Sequence, residues 1–191
     1  MTGDEVIQVF RDCGALLEGH FLFTSGRHGS AFLQAARVLQ YPEHTDRLCG
    51  ALADQFRDAG VELVVGPATG GIVLAYATAR ALGARAAYTE KNGDGGMALK
   101  RGIRVDPGVK VLVVEDITTT GGSVQKSVEH LQKRGADVRG VGVLIDRSGG
   151  TASFDCPFVA LAQLSLDSWA PASCPLCASG AKLIEPDDLS G

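Results

Sequence analysis

Two carboxylates followed at once by a run of hydroxyls and glycines are the residues best placed to do chemistry. Glu115 and Asp116 end the apolar run at 111–114, and Ile117, Thr118, Thr119, Thr120, Gly121, Gly122 and Ser123 come next. Glycines let a backbone approach an anion closely, and the free N–H groups at a helix start point at it. The carboxylates cannot serve the same anion, because like charges repel; they suit hydroxyls or a metal beside it. A ligand with both a phosphate and a diol, such as a phosphorylated ribose, satisfies both halves. The apolar residues 111–114 read as a buried parallel strand. Val124, Val128 and Leu131 give the following helix one apolar face.

The segment 111–123 resembles the PRPP-binding motif of type I phosphoribosyltransferases. An ordinary buried strand capped by a turn accounts for the apolar run, but not for paired acids running into a Thr/Gly/Ser loop. The resemblance implies an α/β chain with the type I phosphoribosyltransferase fold. That fold has a central parallel sheet flanked by helices and a small hood formed largely by the N-terminal segment.

A second strand–glycine turn–helix stands at 64–71, with Thr69, Gly70 and Gly71 at the helix start. Alone it is weak, since many such turns contain paired glycines. Beside the first motif it resembles the pyrophosphate loop of the same family. The two loops would then hold the two ends of one substrate.

The remaining elements must position these loops. Helices are expected over 4–13 with Asp4 as N-cap, over 42–59 and over 71–82. Strands are expected over 21–24, 32–38, 62–66, 84–89, 110–114, 138–145 and 158–164, with a turn at 25–30. Alternation of strands and helices gives a parallel sheet whose ligands gather at the strands' carboxyl ends. Residues 91–102 are polar and glycine-rich with only Met97 and Leu99 as apolar anchors; they are expected to be mobile and to close over ligand. No linker divides the chain, so one domain is expected over 1–191, with the hood at about 1–40 and a tail at about 166–191.

Composition narrows the function. The 191 residues suffice for one domain with its own core, and 45% hydrophobic residues argue against disorder. A net charge of −4 and no Lys/Arg cluster argue against nucleic acid as a partner. No apolar run is long enough to span a membrane, and the acidic N-terminus lacks a signal-peptide core, so a cytoplasmic enzyme is expected. Five cysteines at irregular spacing do not make a secreted disulfide framework.

Within the family the chain resembles orotate phosphoribosyltransferases. The likeness rests on the segment 14–27, Glu90-Lys91, Gly95-Gly96, Arg101-Gly102, Pro107-Gly108 and the late 145–150 segment around Arg147. It implies transfer of the phosphoribosyl group from PRPP to orotate. Glu115 and Asp116 would hold the ribose hydroxyls, and residues 118–123 the 5′-phosphate. Thr24, Phe32, Leu33, Thr119 and Arg147 would contact orotate, Phe32 and Leu33 as a floor. Lys91 would reach the pyrophosphate of a neighbouring subunit in a homodimer. Mg²⁺ would be held by PRPP oxygens and water, with no direct protein ligand. Thr24 departs from the usual Lys or Arg, Gly70 from a frequent Lys, and 92–95 is a short version of the mobile loop. His28, Lys100 or Arg101 are the candidates to replace the missing charge. A purine or xanthine phosphoribosyltransferase, or a PRPP-sensing regulator of the same fold, is the alternative.

Other residues take plainer readings. His20 and His44 have no partner at metal-ligand spacing and are read as surface or structural residues. Trp169, Cys13 and Cys49 are read as packing residues. Cys174 and Cys177 form a single Cys-x-x-Cys, which is half of a zinc site, a metal site across a dimer, or a labile disulfide. Similar tails in some orotate enzymes favour a structural role for the pair.

Overall fold

In the computed structural model, which describes residues 1–23 and 25–186, side chains of two strands alternate between two hydrophobic clusters. Val64, Leu112 and Val114 face one cluster; Leu63, Val65, Val111 and Val113 face the other. This period-two division is what a sheet buried on both faces requires. The strands are β3 (Leu63–Pro67) and β6 (Lys110–Thr118), described below in chain order.

The chain opens with α1 (Gly3–Asp12). Its N-cap is Thr2 rather than Asp4, because Thr2 and Glu5 close a reciprocal capping box, Thr2 N donating to Glu5 Oε2 (2.7 Å) and Glu5 N to Thr2 Oγ1 (3.3 Å). Next come the antiparallel strands β1 (Leu16–Leu22) and β2 (His28–Leu33). The hairpin is therefore longer at its start than the expected strand at 21–24. Its second strand stops earlier than expected: 36–39 forms a helical turn, α2 (Ala36–Leu39), which buries Val38. The alanines there favour a helix, and Arg37 Nη1 donates to Gly14 O at 3.1 Å.

Helix α3 (Pro42–Asp54) ends before a separate 3₁₀ turn at Arg57–Ala59, so the single expected helix at 42–59 is broken. Then follow β3, α4 (Gly70–Leu82), β4 (Arg85–Lys91) and β5 (Met97–Leu99), then β6, α5 (Gly122–Lys133), β7 (Asp137–Asp146) and β8 (Phe158–Gln163). These build one six-stranded sheet in the order β5-β4-β3-β6-β7-β8, parallel except for the β4–β5 pair. Helices α1, α3 and α4 cover the cluster around Leu112, and α5 covers the other.

Two expectations change here. Residues 91–102, expected as a polar segment between strands, include a strand of their own: β5 pairs with β4 and buries both Met97 and Leu99. The two apolar residues in a polar stretch suffice because they are spaced to share one face of the added strand. The strand β6 also runs on through the acid pair to Thr118, so Glu115 and Asp116 belong to the strand instead of following it.

A second, four-stranded sheet forms the hood, in the order β10-β1-β2-β9. Its outer strands are β9 (Ser168–Trp169) and, after the short helix α6 (Pro175–Ala178), β10 (Leu183–Ile184). The hood therefore comes largely from the N-terminal segment, as expected, and the later part of the chain adds a short outer strand on each side. Two-residue strands carry no periodic signal that could announce them.

Candidate active site

The acid pair lies at the carboxyl end of β6, between the two helix-starting loops. Asp116 Oδ1 accepts from Ile117 N at 2.7 Å. The other carboxylate oxygen lies against Gly70, so a side chain at position 70 would have to displace it. Burial and the neighbouring Asp116 charge push Glu115 up from 4.5 to about 8. Burial also raises Asp116, in part offset by the Ile117 N–H bond. Burial thus favours the neutral acid at Glu115 in the free protein, and a cationic ligand bound beside the pair would favour its ionised form.

The first loop forms a small pocket of about 90 Å³ bounded by Glu115, Ile117, Thr118, Thr119, Thr120, Gly121, Gly122, Ser123 and Val124. Gly121 caps α5 with φ +73°, in the left-handed region, and provides no side-chain cap. The first N–H groups of the helix thus remain available to an anion. A Cβ at Gly121 would also meet the Phe154 ring at 2.9 Å. Thr118 Oγ1 is buried without a partner among the described residues.

The second loop runs from β3 into α4. Here Gly66 and Gly71 touch backbone to backbone: a Cβ at Gly71 would come within 2.8 Å of Gly66 C. Only glycine at both positions permits so sharp a turn. Thr69 is the N-cap of α4 without a side-chain cap bond, and Ala68 N donates to Thr89 O at 2.8 Å.

The larger cavity, about 620 Å³, lies between the carboxyl ends of β6 and β7 and the hood. Its walls include Phe23, Arg27 and Phe32 from the hood, Thr119 and Thr120 from the first loop, and Arg147. Thr119 and Thr120 also line the small pocket, so the two spaces adjoin. Arg147 N donates to Thr118 O at 2.8 Å, which ties the end of β7 to the end of β6. The Arg147 guanidinium lies over the Phe23 ring, 5.7 Å from its centroid, and its Nε is buried without a hydrogen-bond partner among the described residues. Burial lowers its pKa from the usual guanidinium value.

The sequence-derived site is thus largely assembled, with particular exceptions. Leu33 does not share the floor with Phe32: neighbouring strand residues face opposite ways, and Leu33 packs in the main core at 4% exposure. Thr24 lies outside the described residues. Lys91 ends β4 and lines neither cavity of its own chain. The three candidate replacement charges are engaged elsewhere. His28 faces His20, Lys100 Nζ donates to Lys91 O (2.6 Å), and Arg101 makes a two-point ion pair with Glu90 (2.9 and 3.0 Å). The base-sized cavity is lined instead by Arg27 as well as Arg147, and Arg27 is held by Ser168 through Nε to Oγ (3.0 Å) and Nη2 to O (2.5 Å). Sequence reasoning missed Phe23, Arg27 and Ser168 as cavity residues. Arg27 is legible only as a basic residue in the hood turn, and Ser168 joins it from 141 residues away.

A largely parallel sheet carrying an acid pair between two glycine-rich, helix-starting loops, with a hood beside them, defines a type I phosphoribosyltransferase. Residues 36–176 match the phosphoribosyl transferase domain. The orotate phosphoribosyltransferase of Desulforamulus reducens is 46% identical over 186 residues, 97% of each chain. That of Thermus thermophilus is 46% identical over 181 residues, covering 95% of this chain and 99% of the relative. The crystal structure of the Aeropyrum pernix orotate phosphoribosyltransferase superposes with TM-score 0.69 at 29% identity, over 83% of this chain and 93% of the other. The chain belongs to the orotate phosphoribosyltransferase family.

Proposed function

We propose that the protein transfers the 5-phosphoribosyl group of PRPP to N1 of orotate, giving orotidine 5′-monophosphate and pyrophosphate. The observation that carries this reading is the junction at Thr119. A phosphate-sized pocket and a base-sized cavity share that residue, and the base side holds the Arg147 guanidinium, whose Nε has no partner among the described residues. Near-full-length relatives bearing the orotate name support the choice of base. Adenine phosphoribosyltransferases share the fold, at 21% identity and TM-score 0.66 for the Rhodothermus marinus enzyme, which does not favour a purine.

In this reading the N–H groups at the start of α5 and the hydroxyls of Thr118, Thr120 and Ser123 hold the 5′-phosphate. Thr69, Gly70 and Gly71 hold the pyrophosphate end. Glu115 and Asp116 accept from the ribose hydroxyls. Arg147 and Arg27 grip the orotate carboxylate and ring oxygens, a task suited to a guanidinium fork. Orotate gives up its N1 proton to the medium, and the N1 electron pair forms the new bond to C1′ as the C1′–O bond breaks and its electron pair leaves with pyrophosphate. C1′ inverts through an oxocarbenium-like state, whose positive charge the acid pair favours. No protein nucleophile is needed; positioning and electrostatics do the work.

Mg²⁺, when bound with PRPP, would neutralise pyrophosphate charge. The Asp116 carboxylate, which lies against Gly70, is an oxygen donor that fits a hard cation held through phosphates and water. Lys91 lines neither cavity of its own chain, which supports its use by a neighbouring subunit of a homodimer. The enzyme acts in the cytoplasm in this reading; no described helix is long and apolar enough to cross a membrane.

A panel of orotate, hypoxanthine, guanine, xanthine and adenine, each with PRPP and Mg²⁺, tests the proposal by pyrophosphate release. Orotate alone should react. A purine reacting faster than orotate would overturn the choice of base and leave the transferase class intact.

A further inference from the structure

Behind the base cavity, four side chains from distant parts of the chain converge on one point. His20 lies on β1, His28 opens β2, Cys174 caps α6 and Cys177 lies within it. His20, His28 and Cys174 are buried at 3%, 5% and 4% exposure. Their ligand atoms and that of Cys177 lie within 4.8 Å of one another, the one such group among the described residues. We propose that His20, His28, Cys174 and Cys177 form a closed Cys₂His₂ site that holds a structural Zn²⁺.

The distances match the edges of a metal tetrahedron. With Zn–N of about 2.0 Å and Zn–S of about 2.3 Å, the N···N edge is about 3.3 Å and the N···S edges about 3.5 Å. The observed values are 3.0 Å for His20 Nε2 to His28 Nδ1 and 3.4 Å for Cys174 Sγ to His20 Nε2. Cys177 Sγ lies 3.7 Å from His20 Nε2 and 3.3 Å from His28 Nδ1. Side chains satisfied only by one another have no reason to place two ring nitrogens and two sulfurs at the corners of one tetrahedron. Two thiolates and two neutral imidazoles also match the softness of zinc.

A supporting bond fixes one ligand. His20 Nδ1 lies 2.9 Å from Ala181 O, where only its N–H can bond. The proton therefore stays on Nδ1, and Nε2 keeps the lone pair that faces the cluster. Ala181 stands just before β10, so the same bond draws in the tail.

The placement explains what the ion would do. Among the described residues the tail's strands pair with the hood over two residues each: Leu183 beside His20, and Trp169 opposite His28. Such short ladders hold a chain weakly. A four-ligand ion would staple them. Leu22, paired with His28, and Ser168, paired with Gly29, both line the base cavity, so the staple stiffens the wall that carries Arg27. All four positions come from protein, so the ion has no open site for substrate. Binding releases the two thiol protons to solvent and changes no oxidation state.

The test uses full-length protein without a histidine tag, purified under reductant and without chelator. Elemental analysis should find about one zinc per chain, and Cys177→Ser should lower this at least about tenfold. Cobalt in place of zinc should give intense tetrahedral d–d bands and sulfur-to-cobalt charge-transfer absorption. Chelation should lower Tm by several degrees, and zinc should restore it. Should Cys177→Ser fail to fold, the cobalt spectrum of the wild type decides. Wild-type protein without tightly bound metal and with a zinc-independent Tm would overturn the site. So would a six-coordinate cobalt spectrum without sulfur bands, or a Cys174–Cys177 disulfide in place of metal.

Discussion

The guanidinium of Arg147 stacks on the ring of Phe23 across the base cavity, 5.7 Å from centroid to charge, and its buried Nε has no partner among the described residues. The contact holds a flat cation in a partly buried wall of the cavity, a setting that suits a planar carboxylate. Arg147→Ala should raise KM for orotate about 10- to 100-fold, the loss of a charge-assisted pair, and change KM for PRPP much less. Steady-state kinetics with each substrate varied in turn will check this. An equal rise in both constants would remove Arg147 from base recognition. Arg147→Lys should recover little, because an ammonium cannot stack or bind at two points.

The contact between Asp116 and Gly70 links the acid pair to the second loop. Asp116→Asn should keep the fold and lower turnover at least about tenfold, since a hydrogen-bonded charge is lost at the ribose. Gly70→Ala should act through the same carboxylate by pushing it aside. The double variant should then be no worse than the single Asp116→Asn. Additive losses in the double-mutant cycle would mean that the two positions act separately.

Glu115 provides a pH signature of the unliganded protein. Its pKa stands at about 8 in the fold against 4.5 ordinarily. Below 4.5 it is protonated folded and unfolded and has no effect. Between these values the unfolded chain ionises while the folded one keeps its proton, so stability falls as pH rises, then levels off above 8. Glu115→Gln should remove this slope. The difference in unfolding free energy between variant and wild type should therefore grow from about pH 4.5 to about pH 8 and stay constant beyond. Denaturant titrations along that range provide the measurement; a flat difference would mean that Glu115 is ionised in the fold.

Lys91 lines neither cavity of its own chain. If each site borrows it from a partner, mixing Lys91→Ala with Asp116→Asn chains should restore activity. Each heterodimer has one intact composite site and one doubly damaged site. Random exchange should then recover about a quarter of wild-type activity. Verified exchange without recovery would place Lys91 in its own subunit's chemistry or outside chemistry altogether.

Local order along the chain determined the phosphate end of the site. An apolar run, two acids and a Thr/Gly loop are consecutive in 111–123, so their strand, turn and helix follow from short-range periodicity and backbone freedom. The alternating strands and helices likewise determined the parallel sheet. The hood was decided by tertiary structure. Strands of two residues, β9 and β10, have no pattern of their own and form only because β1 and β2 offer free edges. The same pairing decided which basic residue enters the base cavity. Arg27 is held there by Ser168, while His28, one residue on, turns to the opposite face of β2. It also brought His20 and His28 to Cys174 and Cys177, at separations of 149 to 157 residues for the His–Cys contacts. Spacing rules for metal ligands read neighbours along the chain; they are blind to ligands that only a folded sheet brings within reach.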